Sequence, residues 1–354
     1  MADQSLKLYW SAALQLAVGL IGSLLAVWLG LPMPFLLGSL VATGAYAMFA
    51  TRGSGEKLAF PSWLRKGFIA VIGVMIGTTF SKDLLAIIPS LWVSMALMVP
   101  YVAVSLTVGY LLFRHVGKYD RTTATFAAMP GGFVEAVAFG EQAGSDVRVL
   151  TLQHFARIVL VVVAVPLLFY FWSGQAVGSA AGQTFSVNPW GTSDVAMIAV
   201  LAPLGMLVGP WLRLPAPYLT GPLVLSALLH ATGLSSTNNP DWLLYLAQLV
   251  VGTGLGANFS GATIKQLLNA FGLGLIAVSL MLVISYGFAV MTANLVPLSF
   301  DALFISYAPG GVTEMNLIAL SLGISPVITA THHLFRILLT SLLSGFLARS
   351  NSAD

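Results

Sequence analysis

Two shortages frame this chain of 354 residues: it has no cysteine, and charged residues make up only 8% of it. Without cysteine there is no disulfide, no thiol nucleophile and no thiolate metal site. A soluble domain of this length could not cover its surface with so few charges. Lipid, in contrast, demands such a composition: 58% of the residues are hydrophobic and mean hydropathy is +0.91. The apolar runs are too long for barrel strands, which leaves an all-α polytopic membrane protein. The net charge is +3, but no basic cluster is large enough for a nucleic-acid surface. The polar prefix Met1 to Lys7 precedes a run long enough to remain as a first span rather than a cleaved signal.

What is present is a duplication. Apolar segments fall at about 8–29, 34–50, 64–80, 86–113, 123–142 and 149–172. A polar linker rich in Gly, Ser, Gln and Asn covers 173–192. The series then returns at about 193–211, 217–233, 242–259, 266–295, 302–321 and 326–347. Residues 1–172 and 193–354 therefore read as two membrane repeats. Several landmarks fix their register. Leu31-Pro-Met-Pro-Phe-Leu-Leu-Gly38 matches Leu214-Pro-Ala-Pro-Tyr-Leu-Thr-Gly221, and Pro61-Ser-Trp-Leu64 matches Pro240-Asp-Trp-Leu243. Ala128-Met-Pro-Gly-Gly-Phe-Val-Glu135 returns as Tyr307-Ala-Pro-Gly-Gly-Val-Thr-Glu314, and His154-Phe-Ala-Arg157 as His333-Leu-Phe-Arg336. From Pro61 onward a single shift of 179 serves every pair.

Lysine and arginine favour the cytoplasmic side and so report the orientation of the halves. If six segments of each half cross, Lys7, Arg52, Lys57, Arg65, Lys66, Arg114, Lys118, Arg121 and Arg349 share one side, and Lys82, Arg148, Arg213 and Lys265 face them. If each Pro-Gly-Gly segment enters and leaves on one side, Lys82 alone remains opposite. The second arrangement fits better. It predicts inverted-topology repeats with about 10 crossings, two discontinuous or re-entrant Pro-Gly-Gly elements and cytoplasmic termini, the logic of secondary transporters. Charge counting fixes only the parity, so another segment between Arg121 and Arg213 could be the one that does not cross.

The Pro-Gly-Gly blocks carry the first candidate site. Proline lacks an amide donor and glycine accepts almost any backbone angle, so neither block continues a helix. Pro130, Gly131 and Gly132, with Pro309, Gly310 and Gly311, would free amides for an anion or carbonyls for a cation. Glu135 and Glu314 follow each break. A carboxylate in hydrocarbon must be paired, protonated or wetted, which suits proton or sodium coupling. The plainer reading is a loop between helices, with a helix-end carboxylate beside exposed amides. Thr313 and Asn316 replace Val134 and Val137, so the second half is expected to do more of the binding.

In each His-x-x-Arg, a spacing of three puts His154 over Arg157, and His333 over Arg336, on one helix face. An arginine inside an apolar run keeps its charge and needs a carboxylate or a ligand. Its expected structural partner is a glutamate of the same or the facing repeat. The sharper reading is that Arg157 or Arg336 meets an anionic substrate while His333 exchanges protons. His332 has no counterpart, since Gln153 fills that place. The runs Gly73-x-x-x-Gly77 and Gly252-x-x-x-Gly256 suit close helix packing. Each ends in polar residues, Thr78, Thr79 and Ser81 in one half and Asn258 and Ser260 in the other. Asn258 is the better candidate to coordinate a ligand, and a second broken helix could cross the first there.

On its Pro-Gly-Gly-x-x-Glu blocks and following His-x-x-Arg, the chain resembles the AbrB family of integral membrane proteins over nearly its whole length. That family has long carried the label ammonia monooxygenase and is unrelated to the soluble DNA-binding regulator of the same name. More distantly, the order Gly-x-x-x-Gly-x-x-Phe, long helix, Pro-Gly-Gly, helix is similar to bile-acid-type sodium symporters and cation/proton antiporters. That resemblance implies inverted repeats, two crossing discontinuous helices and a core moving against a scaffold. Those symporters place Ser or Asn after Pro-Gly-Gly where this chain has Glu, which favours protons as the coupling ion.

The expected function is therefore a proton-coupled secondary active transporter working by alternating access in a bacterial inner membrane, carrying a small solute, with anions among the candidates, without cofactor. Its partners would be the solute or ion and the bilayer, with a homodimer left open. A channel or membrane-bound regulator is the alternative. A metal-dependent monooxygenase is poorly served, because copper or iron needs clustered imidazole and carboxylate ligands and adjacent His332 and His333 do not face each other on a helix.

Overall fold

The computed structural model describes residues 2–31, 33–51, 58–80, 91–173, 190–214, 216–261 and 263–351. Pro32, Arg52, Lys57, Ser81, Lys82, Pro215 and positions 174–189 of the expected linker lie outside the described residues. Within them the first half holds α1 (Ala2–Trp28), α2 (Pro34–Ala50), α3 (Ser62–Gly77), α4 (Trp92–Leu111, prolonged by a π-helical turn, Leu112–Val116), α5 (Arg121–Ala127), α6 (Phe133–Gln142) and α7 (Val147–Ser173). The second holds α8 (Thr192–Trp211), α9 (Pro217–Ala231), α10 (Asp241–Ala257), α11 (Ile264–Ala293), α12 (Phe300–Tyr307), α13 (Val312–Ser321) and α14 (Pro326–Asn351). The described chain is helical throughout and membrane-embedded in character.

The duplication reaches the level of single caps. The first residues of α3, α5, α6 and α7 recur 179 positions later as those of α10, α12, α13 and α14. Asp120 caps α5 by accepting from the Thr123 amide at 2.9 Å, and Ser299, 179 positions on, caps α12 by accepting from the Ala302 amide at 3.3 Å. Met33 and Ala216, each before the first proline of α2 or α9, share a left-handed backbone with φ of 45° and 47°. Neither residue is glycine and each precedes proline, so this is a costly conformation that both halves retain.

Six described helices are long and apolar enough to cross a membrane: Leu8–Trp28, Trp92–Val116 and Val147–Trp172 in the first half, and Thr192–Trp211, Lys265–Ala293 and Pro326–Arg349 in the second. They form three corresponding pairs. Helices α2, α3, α9 and α10 have 15 to 17 residues, or about 23–26 Å of rise, short of a hydrocarbon core of about 30 Å. Six of the ten expected spans are thus sufficient by length and composition alone.

The chain divides into two compact units that cut across the halves. One comprises Met1–Leu85, Pro166–Thr263 and Leu320–Gly323, and so contains α1 to α3 and α8 to α10. The other comprises Ala86–Val165, Ile264–Ala319 and Ile324–Asp354, and contains both Pro-Gly-Gly breaks. In the first unit the glycine runs bring backbones together. A Cβ on Gly73 would stand 2.4 Å from the Leu219 carbonyl of α9, and one on Gly252 would stand 2.5 Å from the Leu36 carbonyl of α2. No larger residue fits either crossing, which is the packing role read from the sequence.

Candidate functional site

Each Pro-Gly-Gly block lies between two short helices. In the first half α5 has 7 residues and α6 has 10; in the second α12 has 8 and α13 has 10. A helix that stops inside an apolar protein leaves its last carbonyls without intrahelical donors. The His-x-x-Arg motifs supply them. His154 Nε2 donates to the Phe126 carbonyl at 2.9 Å, and Arg157 Nη1 donates to the Met129 carbonyl. His333 Nε2 donates to the Ile305 carbonyl at 3.0 Å, and Arg336 Nη1 to the Ala308 carbonyl at 2.6 Å. Donors three apart meet acceptors three apart, and each arginine takes the carbonyl just before its proline. A cation there also faces the negative end of the short helix's dipole.

The sequence suggests a glutamate as the structural partner of each arginine; the structure shows main-chain acceptors beside them. Arg157 and Arg336 bond main-chain carbonyls, and Arg336 also meets His333 and Tyr101. The physical reason is local: an interrupted helix offers several oriented acceptors where the guanidinium fork can reach them. Both arginines are buried, at 6% and 1% exposure, and they are close enough to feel one another's charge.

The glutamates take a different position. Glu135 and Glu314 are each the third residue of α6 and α13, and each turns back over its own break. Glu135 Oε2 lies 3.3 Å from where a Cβ on Gly132 would sit, and Glu314 Oε2 lies 2.1 Å from that of Gly311. A carboxylate at this position faces the freed amides at the start of a helix. Glu314 is buried and Glu135 half-buried. Gly132 itself adopts a left-handed backbone, φ 60°, which a side chain would resist.

The first break is brought against the helix that clasps the second. A Cβ on Gly131, in the first half, would stand 3.2 Å from Arg336 Nε and 3.3 Å from Thr340 Oγ1, both on α14 of the second half. Around this contact runs a buried polar network. Tyr307 Oη donates to the Ser94 carbonyl at 2.9 Å, Tyr101 Oη and Ser285 Oγ are 3.3 Å apart, and His332 Nε2 is 2.8 Å from Ser94 Oγ. Tyr101 also interacts electrostatically with both guanidiniums.

Of the residues expected from the sequence, the structure gathers Pro130, Gly131, Gly132, Glu135, His154, Arg157, Pro309, Gly310, Gly311, Thr313, Glu314, Asn316, His333 and Arg336 into one unit. Thr313 and Asn316 are buried; Asn316 Nδ2 donates to the Val312 carbonyl at 2.6 Å, and its Oδ1 has no partner. Asn258 is not among them: it is an exposed residue closing α10 in the other unit. Sequence reasoning missed Ser94, Tyr101, Ser285 and Thr340. A signal for the first two existed, since Ser94, Met98, Tyr101, Val102, Ser105 and Gly109 form the buried face of α4 at helical spacing.

Among the described residues no group of three or more His, Asp or Glu side chains could hold a metal ion. A family profile described as "Transition state regulatory protein AbrB" matches residues 44–351. The "Uncharacterized protein YhjN" of Bacillus subtilis is 23% identical over 358 aligned positions, covering 95% of this chain and 91% of that one. The "Putative regulator AbrB" of Escherichia coli is 26% identical over 314 positions, covering 88% of each.

Proposed function

This chain belongs to the AbrB family, and from that premise we propose that it is a secondary active transporter for a small anionic solute, coupled to protons and working by alternating access. The observation that carries the reading is the pair of helix breaks, each clasped by a buried His-x-x-Arg, with Gly131 of the first break set against Arg336 of the second clasp. Irregular backbone at membrane depth is tolerated where it is buried in protein or lines a cavity, and broken helices are where transporters hold their ligands. In this reading the halves are inverted, the termini are cytoplasmic, and the membrane is the bacterial inner membrane, in keeping with relatives from Escherichia coli and Bacillus subtilis. Glu314 and Glu135 carry the coupling proton, because each hangs over the break beside it. Arg157 neutralises the solute, and Arg336 holds the empty break beside it in shape.

A membrane-bound regulator is the second reading, favoured by the name of the Escherichia coli relative. A monooxygenase has less behind it. The ring nitrogens of His332 and His333 are engaged by Ile328, Ser94, Ile305 and Arg336, which leaves no imidazole pair free for a metal. Proteoliposome assays with radiolabelled small carboxylates test the proposal. Uptake should saturate, show counterflow from a preloaded lumen, and lose its proton-linked component in Glu314→Gln. Flux linear in concentration without counterflow would indicate a channel, and no flux from any carboxylate would favour the regulator.

A further inference from the structure

The two clasps share a sequence motif but are not equally filled. In the second half Arg336 donates Nη1 to the Ala308 and Tyr307 carbonyls and Nη2 to the Gly310 carbonyl at 2.7 Å. Nη2 also donates to His333 Nδ1 at 2.9 Å. That ring therefore holds its proton on Nε2, where it meets Ile305, and both of its nitrogens are used. Arg336 Nε has no partner among the described residues.

Among the described residues Arg157 of the first half has the Met129 carbonyl alone, and its Nε is buried without a partner. His154 is fully buried, and its Nδ1 is also without a partner. Because the Phe126 carbonyl can only accept, Nε2 carries the hydrogen of the neutral ring and Nδ1 is left as an acceptor. One turn of α7 thus presents an unused N–H on a cation beside an unused lone pair. The Phe133 ring, centred 5.7 Å from the His154 ring, closes one side with apolar surface. Arg336 and Tyr101 are the charged and titratable groups that act on Arg157. A buried guanidinium N–H without a partner calls for an acceptor, and an unfilled ring nitrogen calls for a donor.

We propose that His154 and Arg157 form the solute site of the transporter reading, on which this inference rests, and that the site takes a small oxyanion bearing its own hydroxyl, such as a 2-hydroxycarboxylate. The carboxylate would accept from Arg157 Nε and the hydroxyl would donate to His154 Nδ1. Arg336 and His333, with their bonds already made, are the structural counterpart. This reverses the expectation from Thr313 and Asn316 that the second half does more of the binding.

The test is binding by the full-length protein in detergent, read by thermal shift and equilibrium dialysis with 2-hydroxypropanoate, propanoate and chloride. The wild type should bind 2-hydroxypropanoate roughly tenfold more tightly than propanoate, the worth of one buried hydrogen bond. His154→Phe should remove that preference, and Arg157→Gln should abolish the shift. Arg336→Gln should melt lower without ligand yet keep the ligand-induced rise. Equal response of the wild type to both acids would overturn the proposal without recourse to any variant. So would an undiminished shift in Arg157→Gln. Selective binding without uptake into proteoliposomes would retain the site and defeat the transporter reading; uptake of carboxylates with no such selectivity would do the reverse.

Discussion

Arg336 Nη2 stands 2.9 Å from His333 Nδ1, and no such bond joins Arg157 to His154 one repeat earlier. Two copies of one motif therefore differ in what holds them. The second-half arginine satisfies three carbonyls and a ring nitrogen; the first-half arginine satisfies one carbonyl. Orphaning a buried acceptor costs about 1–3 kcal/mol. Arg336→Ala is accordingly expected to destabilise the protein severalfold more than Arg157→Ala, read as the drop in melting temperature of purified protein. Equal drops would mean that the unequal bonding carries no weight.

Outside the membrane, Asp120 should give a pH-dependent contribution. Partial burial pulls its carboxyl upward, but hydrogen bonds from the Thr123 side chain and the Thr122 and Thr123 amides hold it below the ordinary carboxylate value. A group depressed in the folded state stabilises above its unfolded pKa, about 3.9, and that stabilisation fades as pH falls through the lower folded value. Asp120→Ala should therefore cost about 1 kcal/mol at neutral pH through loss of the cap. The difference from wild type should shrink below about pH 4. Thermal melts of both proteins from pH 7 to pH 3 check this, and a gap that widens on acidification would contradict it.

How much of this was legible in the sequence depends on the kind of group involved. The helices and their duplication were, because apolar runs, prolines and caps such as Asp120 and Ser299 act locally. The breaks were too, since Pro130 and Pro309 cannot continue a helix. The partners of Arg157 and Arg336 were not, because carbonyls are identical at every residue and only the fold says which are orphaned. Nor was the division into two units, which depends on which glycine faces which backbone: Gly73 meets Leu219 across the duplication rather than within its own half. Tyr101 and Ser94 escaped notice because each is an isolated polar residue in a long apolar run. The unequal filling of the clasps lies a level further down. Neighbours such as Phe133 in place of Val312, and Gln153 in place of His332, change what surrounds the same motif.

The inverted arrangement of the halves makes a separate demand. Because the chain has no cysteine, single cysteines at Arg148 and Lys265 can be labelled without background. Both are expected to react with a membrane-impermeant maleimide only from the cytoplasmic side, in inside-out vesicles. Labelling of either in intact spheroplasts would mean that the two halves are not inverted.

The account rests most heavily on the meeting of the first break with the helix that clasps the second, and a cross-link tests that directly. Gly131→Cys and Thr340→Cys would be combined in the otherwise cysteine-free chain, with a protease site placed in the 173–192 stretch so that cutting separates the halves. The position of a Cβ on Gly131 is 3.3 Å from Thr340 Oγ1, so mild oxidation should join the halves after cleavage and a reductant should release them. Halves that part under oxidation, in a doubly substituted protein that still melts as the wild type does, would show that the first break does not meet the second half's clasping helix.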